Sequence, residues 1–206
     1  MRSMFRRAKP APRPERDPLW FHPETDGPNG LERELLANHP WTPPPPAVEV
    51  AHDGGRLVVL RIDLTFMGIP IWPDEPVVFP DDIDNQGLGA AIRRELDSRR
   101  LGLPSPTMLG WEAVGQAMSA RLGVASVDDF VRQSRMVSAA RDADGFVVTP
   151  IDTSGSPESV RLDALAVRAE EADDGELGAL VRESLGRARC APATGQVGSA
   201  RSLPHR

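Results

Sequence analysis

Tyrosine is absent from this chain, and cysteine and lysine occur once each, as Cys190 and Lys9. A lone cysteine forms no internal disulfide and no thiolate cluster, which excludes a cysteine-stapled secreted scaffold and points to a reducing compartment. The histidines, His22, His39, His52 and His205, stand far apart with no paired spacing. No metal ligand set follows from them, and His39 and His52 are expected in exposed loops. No apolar run approaches the roughly 18 residues of a membrane helix. The basic start lacks the apolar stretch of a secretory signal. A cytoplasmic protein with no membrane partner is expected.

Catalytic signatures are missing as well. Gly87-Leu88-Gly89 and Gly175-Glu176-Leu177-Gly178 look like pieces of a phosphate loop, but no Lys-Ser/Thr or third glycine follows. Acids stand before both segments and would repel a phosphate. There is no serine elbow. Cys190 has Arg187 and Arg189 nearby to favour its thiolate, yet only His52 lies within the ordered repeats to serve as a base. No catalytic residue, metal or cofactor is assigned.

What is present is charge, proline and repetition. The 206 residues carry 21 prolines, 40% hydrophobic residues and a formal charge of −6. Residues 1–16 hold five arginines and Lys9 against Glu15, and residues 187–206 hold four arginines and no acid. The body between these basic ends is therefore strongly acidic. Such a body repels nucleic acid and attracts basic proteins. We expect a basic, Pro-rich arm over residues 1–28 without regular structure, one domain over 29–190, and a tail over 191–206.

Inside the domain the chain repeats itself. Asp142-Ala143-Asp144-Gly145-Phe146-Val147-Val148 lies 89 positions after Asp53-Gly54-Gly55-Arg56-Leu57-Val58-Val59. The same shift, ungapped, sets Leu177-Gly178-Ala179-Leu180-Val181-Arg182 over Leu88-Gly89-Ala90-Ala91-Ile92-Arg93, and Arg189 over Arg100. Two separate matches at one offset read as duplication of a unit, about 41–100 and 130–189.

Each copy predicts a hairpin, a third short strand and a helix. The first hairpin turns at His52–Gly55, the strand is Pro76–Phe79, and the helix covers about 86–100. The second copy places a strand at Leu165–Arg168 and a helix at about 175–188. Gly89 and Gly178 cost their helices about 1 kcal/mol each against alanine, and their recurrence predicts a close helix-to-sheet contact. Between the copies, Thr107 caps a helix to Leu122 whose stripe Met108, Trp111, Val114, Met118 and Leu122 reads as a core face. Ser126 opens a shorter helix. The fold class is α+β: a duplicated hairpin-strand-helix unit with a mainly antiparallel sheet and helices on one side.

The remaining chemistry is carboxylate. Asp81, Asp82 and Asp84 precede the first repeat helix, and Glu170, Glu171, Asp173 and Asp174 precede the second. They suit helix caps, and they are also a candidate hydrolase pair or cation site. Convergence of both sets in one concave pocket favours an enzyme; a flat acidic surface favours a binding protein.

Asp144-Gly145-Phe146-Val147-Val148-Thr149-Pro150 and Glu176-Leu177-Gly178-Ala179-Leu180-Val181-Arg182-Glu183-Ser184-Leu185 carry a resemblance. They are similar to the strand and helix motifs of the proteobacterial-type immunity proteins of contact-dependent growth inhibition systems. The likeness covers about residues 126–190. It implies a small cytosolic α/β protein that binds and blocks a cognate toxin domain, often a nuclease, with no catalytic residues of its own. The expected partner is thus a basic toxin domain, with no direct nucleic-acid binding by the body. The acids before the two helices, together with Trp72, Asp74 and Glu75 on the first unit's irregular loop, are the expected binding face. The oligomeric state stays open.

Overall fold

The structure, a computed structural model, describes residues 20–21, 42–65, 68–72, 75–155 and 159–191. Strand β1 (Trp20–Phe21) pairs with β7 (Ser105–Pro106). The rest of the arm expected over residues 1–28, and residues 192–206 of the tail, lie outside the described residues.

The first unit runs β2 (Ala47–Asp53), β3 (Arg56–Arg61), β4 (Asp63–Leu64), β5 (Pro70–Ile71), β6 (Val77–Pro80) and α1 (Asn85–Asp97). Its hairpin turn is tighter than the four residues expected. Asp53 pairs directly with Arg56, and Gly54 and Gly55 take φ of 58° and 115°. Two consecutive positive-φ residues match the twist of the flanking strands, and glycine adopts them without strain. The stretch after β3, part of the first unit's irregular loop, folds back as the small β4–β5 pair.

Helices α2 (Met108–Leu122) and α3 (Val127–Gln133) link the units. Thr107 and Ser126 cap them as the sequence suggests, accepting from the Gly110 and Asp129 amides. The second unit follows as β8 (Arg135–Asp142), β9 (Gly145–Asp152), β10 (Val160–Arg161), β11 (Val167–Ala169) and α4 (Asp174–Arg187).

Among the described residues the hairpins join through β2 and β8 into a seven-stranded sheet, ordered β10-β9-β8-β2-β3-β6, with β11 also on β9. Described strand pairs in it are all antiparallel. The join itself is symmetric. Glu49 pairs with Ser138, its own equivalent in the second unit, so a pseudo-twofold axis passes through that pair. The copies also close alike: after each helix the chain returns to its hairpin, Leu64 N donating to Arg100 O at 3.0 Å and Thr153 N to Arg189 O at 2.9 Å. The duplication read from the sequence is a structural duplication.

Strand alternation divides the interior in two. Val48, Val50, Leu57, Val59, Val137, Ala139 and Val148 face α1 and α4, whose Leu88, Ile92, Leu177 and Val181 are fully buried against them. Ala51, Val58, Leu60, Met136 and Ile151 face the other way and meet α2 and α3 through Met118, Leu122 and Phe130. The repeat helices therefore share one side, and the linking helices cover the opposite one. Only the C-terminal half of the α2 stripe is core: Met118 and Leu122 are buried, whereas Met108 is 86% exposed and Trp111 40%. That half alone reaches the sheet.

His52 is also not in a loop. It lies on β2, where Arg135 Nη2 stands 3.0 Å from Nδ1 and Asp81 3.1 Å from Nε2. Nδ1 accepting from arginine leaves the proton on Nε2, facing the carboxylate.

Candidate binding face

The acidic loops sit where the two repeat helices meet. Helices α1 and α4 cross with their N-terminal halves in contact, because glycine recurs at the crossing. A Cβ on Gly89 would lie 1.8 Å from the carbonyl oxygen of Asp174, and one on Gly178 would lie 2.0 Å from that of Asn85. Each glycine thus admits the first turn of the other helix. The contact is helix to helix, not helix to sheet as the recurrence alone predicted.

Two arginines lock the arrangement reciprocally. Arg93 donates to Asp174 Oδ1 at 2.8 Å and to Ala172 O at 2.7 Å. Its equivalent, Arg182, donates to Asn85 Oδ1 at 3.0 Å, to Asp81 O at 3.0 Å and to Ile83 O. Each helix therefore holds the loop preceding its partner, one acid loop on either side of the pseudo-twofold axis. Arg93 also lies over the Phe146 ring, 4.9 Å from its centroid.

The acids divide by task. Asp84 caps α1, accepting from Gly87 N at 2.7 Å. Asp173 caps α4 in a reciprocal box with Glu176, the two bonds being 2.8 and 2.9 Å. Asp174 is held by Arg93, and Asp81 by His52 with Arg182 at 3.7 Å. Asp82 and Glu171 are exposed and make no side-chain bond among the described residues, and exposed Glu170 lies near Arg168. These three carry the least committed charge.

A shallow depression is lined by Arg93, Phe146, Glu170, Glu171, Asp173 and Glu176, so its described carboxylates all come from the second unit. Among the described residues no group of three or more histidine, cysteine or acidic side chains is placed to hold a metal ion.

The first unit's irregular loop contributes differently. Glu75 is exposed, and Asp74 lies outside the described residues. Trp72 is not with the acid loops: it packs against the core on the far side of the sheet. An indole in a proline-rich loop reads as exposed until β5 is seen to turn it inward. Sequence reasoning passed over Arg93 and Arg182, although their alignment across the copies was visible.

No family model matches the chain, and no curated protein matches it. Solved structures do. The protein of unknown function NMB0488 from Neisseria meningitidis is 16% identical with a TM-score of 0.59, covering 72% of this chain and 98% of that one. A chain of the CdiA-CT/CdiI toxin and immunity complex from Yersinia pseudotuberculosis is 10% identical with a TM-score of 0.56, covering 71% of this chain and 98% of its own. At these identities the likeness is one of fold.

Proposed function

We propose that the chain is an immunity protein, binding and neutralising a cognate toxin domain of a contact-dependent growth inhibition or related interbacterial competition system. The observation that carries this reading is the pair of exposed acid loops, one from each unit, each held by the arginine of the other unit's helix. The fold shared with a chain of a toxin and immunity complex supports it. A basic toxin domain, such as a nuclease, has the complementary charge. The carboxylate-enzyme alternative needs acids from both units in one pocket; the described depression draws on one unit only.

The uncommitted acids make the test specific. Replacing Asp82, Glu170 and Glu171 together by lysine should slow association with the proposed cognate toxin domain by about tenfold or more at low salt. The difference should shrink as salt rises, and the fold should persist because none of the three caps a helix. Unchanged association kinetics would dismiss this face.

A further inference from the structure

On the opposite side of the sheet a cavity of about 460 Å³ opens between the β4–β5 pair and α2. Trp72, Trp111, Ile71, Val114 and Met118 line it, and its charged lining is Glu49 and Asp128. The size lies within the range of ligand sites, and the composition is that of an apolar slot with a few fixed polar groups. Glu49 is its unusual member. It stands in the middle of a central strand, on a face otherwise given to Ala51, Val58 and Leu60. Burial pushes its carboxyl above the ordinary value, while Arg161 and a hydrogen bond from the Trp72 indole pull the other way. A carboxylate so placed weakens the fold unless it is used.

Arg161 offsets only part of that burial, since the carboxyl stays above its ordinary value. It is exposed on β10, bonded to Ser138 Oγ at 2.7 Å, and lies outside the cavity lining. Across the axis the equivalent of Glu49 is Ser138, a small hydroxyl that takes that bond. The duplicated frame is thus broken at its centre by one acid, and the acid is on the side that has the cavity.

We propose that this cavity receives an arginine side chain presented by a partner polypeptide, its guanidinium on the Glu49 carboxylate and its stem and plane against the indoles of Trp72 and Trp111. Arginine fits better than lysine because its planar, weakly hydrated head both stacks on indole and pairs with a carboxylate. The described lining offers no cation to hold a free α-carboxylate, which favours a residue within a chain over free arginine. The site is separate from the acid loops and stands whether or not the partner is a toxin.

The test uses the full chain and N-acetyl-arginine methylamide, following the indole N–H resonances of Trp72 and Trp111. Saturable shifts at both, with a dissociation constant on the order of millimolar, are expected. The citrulline analogue and Glu49→Gln should each weaken binding about tenfold or more. Trp111→Ala, at an exposed position, should weaken it about threefold with the fold intact. Glu49→Gln should also leave the melting temperature unchanged or raise it, because the raised carboxyl costs stability once pH exceeds its unfolded value. No saturation, equal binding of the citrulline analogue, or full binding by Glu49→Gln overturns the proposal. Tighter binding of free arginine overturns the polypeptide source.

Discussion

Gly89→Ala and Gly178→Ala each lower the stability of the protein by about 3 kcal/mol, the upper part of the range for overpacking a close contact. At roughly 2–4 °C per kcal/mol for a chain of this size, the melting temperature falls by about 6–12 °C. The reason is geometric: the new methyl would sit 1.8 or 2.0 Å from a backbone oxygen, which no side-chain rotation relieves. The helices must separate, stretching the Arg93 and Arg182 bonds that cross the same gap. Since both substitutions force one separation, the double variant loses less than the sum of the two. Gly115 and Gly186, also helical, have no atom within 4 Å of an added Cβ. Alanine there should stabilise by up to about 1 kcal/mol through helix propensity. Urea denaturation of the four variants measures this, and neutral effects at Gly89 and Gly178 would refute the crossing.

Asp63→Ala is expected to cost about 3 kcal/mol, at the lower end for a broken buried ion pair because one of its partners is half exposed. The Asp63 side chain is fully buried and accepts from Arg61 Nε at 2.9 Å, from Arg100 N at 2.9 Å and from Arg100 Nε at 2.8 Å. Arg61 continues to Glu95, a nearly buried acid, at 3.2 Å. Truncation therefore strands an arginine and unties the return of the chain to its hairpin. The second unit lacks this network: Asp152 meets Arg189 at 3.7 Å, and the equivalent of Glu95 is Ser184. Asp152→Ala should cost clearly less. Equal losses at the two sites in chemical denaturation would contradict the asymmetry.

The frame was legible because duplication leaves a signal that single elements do not. Leu88 and Leu177, matched by an ungapped shift, are both fully buried in one cluster, and Asp84 and Asp173 cap their helices alike. Partner choice was not legible. Periodicity says that Gly89 needs a close neighbour but not whether that neighbour is a strand or a helix. Trp111 falls on the stripe of Met118, yet the sheet ends before it, and spacing carries no information about where a sheet ends. Glu49 passed unnoticed because an acid between Val48 and Val50 reads as the solvent side of a strand, until α2 and α3 are seen to cover that side. For the candidate face, sequence supplied the acids; only the structure separates capping Asp84 and Asp173 from uncommitted Asp82, Glu170 and Glu171.

The decisive measurement is the growth of cells expressing the cognate toxin domain that the proposal requires, with and without the chain in the same cytoplasm. The account predicts arrest with the toxin domain alone and growth restored when the chain accompanies it. Continued arrest, with the folded chain present in excess over the toxin domain, would contradict it.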